Sequence, residues 1–276
     1  MKSLKMKGAL IVMGLFAFNS CKIGSGMITA LMPDISEDAK LGAQVSQEIE
    51  SKPSEYPILA ENGNQEVYAY VRGITNKILN SGAVVNRDAF PWKVKIIKDD
   101  KTLNAFCTPG GYIYVYTGLI KYLDSEDQLA GVMGHEIAHA DKRHSMRQLV
   151  QTYGVQALLG IGAAVATSGK SQGTQQTAST VAQVATSVVG LSFSRDHETE
   201  ADNMSVKYLC GTDYNAAGSA GFFEKIGNAS TPPEFLSTHP SPVNRVQNIQ
   251  AQAEKAGCKG TNKNVSQYQR IKNLLR

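Results

Sequence analysis

The chain has 276 residues, of which 42% are hydrophobic and 19% are charged. A chain of this length and composition can bury a substantial core as one large domain or two small ones, which excludes a disordered protein. Of the net charge of +4, three units come from Lys2, Lys5 and Lys7. The remainder is close to neutral, so the chain lacks the basic face expected of a nucleic-acid-binding protein.

The N-terminal segment has the pattern of an export signal. The three lysines precede an apolar stretch at residues 8–18, which is followed by small or polar residues and then Cys21. The stretch is too short to span a bilayer, and a cysteine at this point is typical of a bacterial lipoprotein signal. We expect residues 1–20 to be removed, Cys21 to be lipidated and residues 21–33 to form a tether. Ordinary secretion, an uncleaved anchor and an unmodified buried cysteine are the alternatives.

The first half of the mature chain alternates helical and strand-like patterns. Asp34 is a suitable N-cap for the first helix, and Ser125 with Gln128 predicts a capping box that opens an apolar helix to about Lys142. The turn Pro109-Gly110-Gly111 is expected to join the last two strands. Before Ser125 the hydrophobic spacing predicts helices at 34–50 and 65–79 and strands at 92–96, 103–107 and 112–116.

The second half is predicted to be helical. Apolar stretches at 154–167 and 181–191 flank a linker at 168–179 that is rich in Ser, Gln, Gly and Thr. Two core helices with a loop are favoured for this part over a hairpin that covers a cleft or touches a membrane. Ser241 and Pro242 suit the N-cap and first turn of a last helix. The predicted helices are 194–210, 215–226 and 241–257, and residues 259–276 are expected to be a polar tail.

The segment His135-Glu136-Ile137-Ala138-His139 lies inside the predicted apolar helix and has the spacing of a metal site. Residues four apart lie on one face of a helix, so both imidazoles can bind one Zn²⁺. Glu136 leans toward the remaining open position. Its carboxylate can there take a proton from the attacking water and deliver it to the leaving amine.

Zinc needs a third protein ligand, and Glu198 is the best candidate. Glu198 and Asp202 are four residues apart on one predicted helical face, so Asp202 can accept a hydrogen bond from the far N–H of a ligating histidine. Glu200 points about 200° away from Glu198 and is expected in solvent or in a salt bridge. His197 is expected to be a neighbour rather than a ligand, and His144 a surface or structural residue.

The remaining histidine, His239, lies in a loop stiffened by Pro240 and Pro242. Arg245 falls in the first turn of the following predicted helix, from which it could point back toward the cleft. Taken alone, each residue has an ordinary interpretation that would be preferred: a loop histidine for His239 and a salt-bridged arginine for Arg245.

Three further cysteines are Cys107, Cys210 and Cys258, so at most one disulfide can form among them. In an exported protein Cys210–Cys258 is the better pair, because Cys107 falls in a predicted strand beside the proposed active site. Three buried thiols remain an equal alternative.

Together these motifs resemble the zinc peptidases of the HtpX, BepA, LoiP, Oma and CAAX prenyl protease family. The resemblance extends over roughly residues 34–257. The chain lacks the long spans of the membrane-embedded branch and has no room for the tetratricopeptide domain of BepA, so the compact lipoprotein layout of LoiP fits best. The matching segments are HEIAH at 135–139, SRDHETEAD at 194–202 and HPSPVNR at 239–245, together with segments at 104–106, 109–111 and 116–118.

The resemblance implies an α+β, mostly helical, zincin-like fold in which a small sheet flanks the active-site cleft. The metallopeptidase domain would extend over residues 34–258. One Zn²⁺ per chain would be bound by His135, His139 and Glu198, which is the gluzincin type of ligand set, and Glu136 would be the catalytic general base and acid.

Four other residues acquire roles by the same resemblance. Asp202 would hold a ligating histidine. His239 and Arg245 would polarise the substrate carbonyl or stabilise the oxyanion, and in BepA-like relatives the matching histidine can also occupy the metal's open position. Asn104 would lie on an edge strand that pairs with an extended substrate.

The function predicted is that of a zinc-dependent endopeptidase that cleaves polypeptides, with misfolded or unassembled bacterial envelope proteins as substrates. The protein would be lipid-anchored and face the periplasm, at the outer membrane rather than the inner, with no nucleic-acid partner and with the oligomeric state left open. One alternative is an envelope chaperone or assembly factor that binds polypeptides and cuts them rarely. Another is a non-proteolytic metal-binding protein, which would not require Glu136.

Overall fold

The structure, a computed structural model, describes residues 31–156, 158–159, 175–227 and 233–275. The predicted signal segment, Cys21 and the first part of the predicted 168–179 linker lie outside the described residues. Within the described part, no helix is both long and apolar enough to cross a membrane.

Helices dominate the described chain, and the three strands lie in its first half. In chain order the elements are α1 (Ile35–Glu50), α2 (Gln65–Leu79), β1 (Lys93–Ile97), β2 (Ala105–Thr108), β3 (Tyr112–Tyr116), α3 (Thr117–Tyr122), α4 (Glu126–Asp141), α5 (His144–Tyr153), α6 (Gln175–Val189), α7 (Arg195–Cys210), α8 (Gly218–Gly227), α9 (Phe235–Thr238), α10 (Arg245–Lys255) and α11 (Val265–Lys272). The predicted α+β, mostly helical class with a small sheet is confirmed.

The three strands form one sheet in the order β1-β3-β2. β1 runs parallel to β3, whereas β2 runs antiparallel to β3, with Phe106 opposite Tyr114. The tight β2–β3 connection depends on Gly110 and Gly111, whose φ angles of +74° and +79° are strained for residues with a Cβ. Because β2 is last in the strand order, it is an edge strand of the sheet, and α4 packs against it.

Helix α4 lies at the centre of the described fold. Every residue from Leu129 to Asp141 is buried, because α7, α8, α2 and the sheet all pack against this helix. A helix enclosed on all sides has no need of a polar face, which explains its apolar sequence. Any polar side chain that α4 carries is consequently held inside the protein.

Several predicted elements are confirmed in detail. Helix α2 has the predicted bounds, as does strand β3. Asp34 caps α1 by accepting a hydrogen bond from the Ser36 backbone N–H at 2.9 Å. Helix α8 begins at Gly218, three residues later than predicted. Helix α6 covers most of the second apolar stretch and begins inside the predicted linker, whereas most of the first stretch lies outside the described residues.

The start of α4 was placed correctly, but the predicted capping box is wrong. Ser125 occupies the N-cap position, yet its hydroxyl donates to the Asp127 carboxylate instead of accepting from the helix backbone. The Gln128 side chain accepts from the Asp124 N–H at 2.9 Å. The acidic residue two positions after Ser125 takes the hydroxyl away from the backbone.

The predicted start of the last long helix at Ser241 and Pro242 is also wrong. Helix α10 begins at Arg245, after Asn244 adopts a left-handed conformation with φ of +56°. Asparagine tolerates this conformation better than most residues. The resulting change of direction puts Arg245 at the first position of the helix, where its side chain is buried.

The polar tail predicted at 259–276 needs a correction. Residues Val265–Lys272 form α11, which buries Tyr268 and Ile271 in the main core. The Tyr268 hydroxyl donates to the Ile120 carbonyl at 2.7 Å. Two apolar residues three positions apart are enough to attach a short helix, although the composition around them is polar.

A disulfide joins Cys210, the last residue of α7, to Cys258, which lies just beyond α10. Of the two alternatives left by the sequence, the structure therefore has the pairing. Cys107 is a buried free thiol in β2. The disulfide connects the two helices that supply the acidic and basic residues of the site described next.

Candidate metal centre

Helix α4 supplies two imidazoles to a buried cluster. His135 and His139 are four residues apart, so both rings emerge on one face, and their Nε2 atoms lie 3.0 Å apart. Both side chains are fully buried. The Phe193 ring stacks on His139 with 4.0 Å between ring centroids, which closes that side of the cluster.

Helix α7 adds Glu198 to the cluster. Ser194 caps this helix by accepting from the His197 N–H at 3.2 Å, which fixes the turn on which Glu198 lies. One carboxylate oxygen lies 3.4 Å from Nε2 of His135 and the other lies 3.3 Å from Nε2 of His139. The carboxyl group thus faces both imidazoles, as the sequence predicts.

His239, the residue that follows the short helix α9, completes the cluster. Its Nδ1 lies 3.1 Å from a carboxylate oxygen of Glu198 and 3.3 Å from Nε2 of His135. The ring is held by stacking on Phe235, with 4.3 Å between centroids. The Phe193 N–H donates to the Thr238 carbonyl at 3.0 Å, which attaches the loop to the segment before α7.

The separations within this cluster fit a four-coordinate metal. Ligands ~2.0–2.1 Å from a tetrahedral Zn²⁺ lie ~3.3–3.4 Å from one another. Five separations between donor atoms of these residues, counting both Glu198 oxygens, run from 3.0 to 3.4 Å. One donor atom from each of His135, His139, Glu198 and His239 lies within 4.8 Å of all the others. Buried lone pairs gathered this closely are costly unless a cation or protons lie between them. The donor set therefore fits a metal cofactor.

The charges around the cluster are strongly perturbed. Burial opposes a charge on His135, but Glu198 and Asp202 outweigh it and raise the pKa of His135 to about 9. Burial, together with the neighbouring His135 and His239 rings, lowers the pKa of His139 well below its usual value despite the Glu198 carboxylate. Burial also works against the Glu198 carboxylate, but the imidazoles of His239 and His135 hold its pKa well below the usual range.

A second layer of ionic contacts holds the cluster from the α7 and α10 side. Asp202 accepts from Nδ1 of His135 at 2.8 Å, so the predicted contact is present. Arg245 donates to Asp202 through Nε and NH2, each at 2.8 Å, and to Glu198 at 3.0 Å. Its guanidinium carbon lies 3.6 Å from the centre of the Phe223 ring. Within the described chain its NH1 atom has no hydrogen-bond partner.

Glu136 lies beside the cluster without being part of it. One of its carboxylate oxygens is 3.6 Å from Nε2 of His239. That oxygen and the His239 Nε2 atom are buried, and neither has a hydrogen-bond partner among the described residues. Burial raises the pKa of the Glu136 carboxyl. A buried carboxylate oxygen with nothing to accept from is available to a ligand of the site.

Asn104 lies immediately before the edge strand β2. It is buried, and its side-chain oxygen accepts from the Ala105 N–H at 2.9 Å. The carbonyl of the preceding Leu103 accepts from the Phe235 N–H at 3.1 Å, which links the edge strand to α9. Cys21 lies outside the described residues.

The structure places one more histidine at the site than the sequence analysis assigned to it. His144 was expected at the surface or in a structural role, but it is fully buried, and its Nδ1 lies 3.0 Å from Nδ1 of His139. Burial and the neighbouring His139 and His197 rings lower the pKa of His144 to about 2. Glu200 accepts from its other nitrogen at 3.1 Å. Glu200 also lies 4.0 Å from NH1 of Arg147, which agrees with its predicted place in solvent or in a salt bridge. The available signal was a third histidine only five residues beyond His139.

Comparison with known proteins agrees with this geometry. The model of peptidase family M48 matches residues 65–253. The beta-barrel assembly-enhancing protease of Yersinia pestis is 25% identical over 245 residues, which is 82% of this chain and 48% of that protein. The mitochondrial metalloendopeptidase OMA1 of Schizosaccharomyces pombe is 29% identical over 66% of this chain and 51% of its own length. The metalloprotease YcaL of Escherichia coli is 28% identical over 61% of this chain and 64% of its own length.

A helix with the HExxH spacing, beside a small sheet and a buried nitrogen and oxygen cluster, is the arrangement of the zincin class of metallopeptidases. More particularly, the chain belongs to peptidase family M48, because the family model covers most of it and includes every residue of the cluster. The resemblance inferred from the motifs is thereby confirmed. The chain spans about half the length of the first curated relatives it matches.

Proposed function

We propose that the chain is a zinc-dependent endopeptidase that hydrolyses polypeptides in the bacterial cell envelope. The observation that carries the proposal is the set of four donor atoms within 4.8 Å of one another, with a buried Glu136 carboxylate oxygen beside them that has no hydrogen-bond partner among the described residues. Three imidazole nitrogens and one carboxylate oxygen in this geometry favour Zn²⁺ over the harder Mg²⁺ or Ca²⁺. His135, His139 and Glu198 are the proposed permanent ligands.

When bound, the metal would supply Lewis-acid polarisation of the peptide carbonyl and would make water more acidic. Glu136 accepts the proton of the attacking water and passes it to the leaving amine, a role that its raised pKa suits. Asp202 keeps the proton of His135 on Nδ1, so that Nε2 offers its lone pair to the cluster. The NH1 group of Arg245 and the ring of His239 are the proposed partners of the developing oxyanion.

His239 would have a second role as a block on the site at rest. Its Nδ1 lies 3.1 Å from a Glu198 carboxylate oxygen and 3.3 Å from Nε2 of His135, so it would serve as a fourth donor to the metal and would exclude the attacking water. The loop between Pro240 and Pro242 would have to lift His239 when substrate enters. Activity would then depend on substrate binding strongly enough to offset the lost contact.

The Glu136→Gln variant tests the assignment. Glu136 is not a ligand in the proposal, so the variant should retain one Zn²⁺ per chain while hydrolysis of a casein substrate falls by about 10²–10⁴-fold. Metal analysis of the same sample is the control, and His135→Ala should lose the metal. Undiminished hydrolysis by zinc-loaded Glu136→Gln would refute the proposed role. A wild-type protein that binds zinc and casein without cutting would favour the chaperone alternative.

The envelope location and the substrates are further parts of the proposal. The relatives named beta-barrel assembly-enhancing proteases support unassembled envelope proteins as substrates. The lipoprotein pattern that ends in Cys21 supports a lipid anchor like that of the LoiP-type lipoproteins, with the outer membrane favoured. Cys21→Ser should release the protein from the membrane fraction of the producing cells. Unchanged partitioning, with no lipid mass on Cys21, would contradict the anchor.

A further inference from the structure

His144 lies behind the proposed ligand His139, on the side away from the cluster. It is the first residue of α5, and it is turned back against α4 because Arg143 adopts a left-handed conformation with φ of +58°. The Arg143 side chain is fixed by an ion pair with buried Asp38 and by the Pro33 carbonyl. The turn that directs His144 inward is thus held by contacts with the start of α1.

The direction of the hydrogen bonds follows from the ring nitrogens. Nε2 of His139 faces the other donor atoms of the cluster, so a metal there would leave the ring proton on Nδ1. Nδ1 of His144, at 3.0 Å, must then be the acceptor. The proton of His144 is left on Nε2, which donates to the Glu200 carboxylate at 3.1 Å. A single hydrogen-bonded chain therefore runs from His139 through His144 to Glu200.

We propose that His144, anchored by Glu200, is a positioning residue that fixes the tautomer and the ring orientation of the metal ligand His139. The inference rests on the metal site proposed above. His135 has a carboxylate, Asp202, in the corresponding place. Beside His139 the corresponding place is taken by the neutral imidazole of His144. The carboxylate, that of Glu200, lies behind this imidazole, and its side chain is 41% exposed.

Charge gives the physical reason for the inserted imidazole. Glu136, Glu198 and Asp202 already place three carboxyl groups in the buried site. A fourth buried carboxylate beside His139 would be costly to desolvate and would be repelled by the other three. The imidazole provides the acceptor that His139 needs without adding a charge to the interior.

Substitution of His144 tests the proposal through metal affinity rather than through activity. His144→Phe keeps an aromatic ring against Phe193 and His197 but removes the acceptor. The Kd for Zn²⁺, measured by competition with a chelating dye, should rise by about 10–100-fold. His144→Asn places an amide oxygen near the position of Nδ1 and should restore most of the affinity. The absorption bands of the Co²⁺-loaded protein should change in the Phe variant and return toward those of wild type in the Asn variant.

His197→Phe is the matched control. Its ring stacks on His144 at 4.3 Å, but its Nδ1 has no hydrogen-bond partner within the described chain, so its loss should leave the Zn²⁺ affinity unchanged. An equal loss of affinity in His197→Phe and His144→Phe would overturn the proposal, because packing alone would then explain it. Wild-type Zn²⁺ affinity and an unchanged Co²⁺ spectrum in His144→Phe would overturn it as well.

Glu200 provides a second test at a partly exposed position that can be changed without disturbing the core. Glu200→Ala should weaken Zn²⁺ binding, and Glu200→Gln, which keeps an acceptor for His144 but not the charge, should restore it. Equal affinities in Ala, Gln and wild type would contradict the anchoring role even if His144→Phe failed to fold. If the wild-type protein bound no Zn²⁺, the proposed function itself would fail, which separates that outcome from failure of the positioning role.

Discussion

Gly131→Ala probes how closely the helices around the site must pack. Gly131 lies one turn before His135 on α4, where α8 crosses. A Cβ at this position would lie 2.2 Å from the backbone nitrogen of Ser219 and 2.8 Å from its Cα. Both contacts are with backbone, so no side chain can rotate away to relieve them.

The expected cost follows from these distances. Carbon contacts are comfortable at about 3.5 Å, so α8 would have to move by roughly 1.3 Å at Ser219. Overpacking of this kind costs typically 1–3 kcal/mol, whereas the better helix propensity of Ala returns about 0.5–1 kcal/mol. We expect a net loss of about 1 kcal/mol in the free energy of unfolding. The movement would also reach the ring of Phe223, which holds the Arg245 guanidinium, and should weaken Zn²⁺ binding.

Gly73→Ala is the matched control, because Gly73 is exposed on α2 and a Cβ there would meet nothing within 4 Å. It should stabilise the protein by about 0.5–1 kcal/mol. Urea unfolding of both variants in chelator can be followed by far-UV circular dichroism and by fluorescence of Trp92, the one tryptophan of the chain. Coincident transitions would support two-state analysis. If Gly131→Ala were as stable as Gly73→Ala and bound Zn²⁺ like wild type, the close α4–α8 contact would not constrain the fold as argued.

Three other changes have expected outcomes. Replacing Cys210 and Cys258 by serine should lower the free energy of unfolding by about 4 kcal/mol, which is the chain-entropy value for the loop that the disulfide closes. Urea unfolding measures this loss of stability, and a loss below about 1 kcal/mol would contradict the expectation. Arg143→Ala leaves the Asp38 carboxylate buried without its ion-pair partner and should cost about 3 kcal/mol. Asp38→Asn in that background should return part of this stability, and no recovery would exclude the ion pair as the cause. His239→Ala should release Zn²⁺ to a chelating dye faster than wild type, and equal release rates would exclude the blocking role of His239.

The parts of the site that the sequence could predict are those fixed by local helical geometry. The i, i+4 spacing placed His135 and His139 on one face, and the same spacing related Glu198 to Asp202. Both pairs hold in the structure because each lies within one helix, where the neighbours of a residue follow from its position. Hydrophobic periodicity located α2 and β3 for the same reason.

The features that the sequence missed depend on contacts between distant segments or on a single backbone angle. The Ser125 hydroxyl donates a hydrogen bond to the nearby Asp127 carboxylate instead of accepting one from the helix backbone. The inward direction of His144 depends on the left-handed Arg143, which contacts with the start of α1 hold in place. Neither fact has a periodic signature. The start of α10 moved because Asn244 adopted an angle that only some residues tolerate.

The balance of charge explains why the site is built from these residues. Glu136, Glu198 and Asp202 are buried with one guanidinium, that of Arg245, so ionised carboxylates would leave about two negative charges in the interior. A divalent cation supplies the two opposite charges, which makes an M48 metal site the economical solution for an otherwise unfavourable cluster. The raised pKa of His135 reflects the same excess of negative charge, because a proton on its ring is held by the Glu198 and Asp202 carboxylates despite burial. Metal binding must release such a proton, so the cation and the proton compete for one buried, electronegative position.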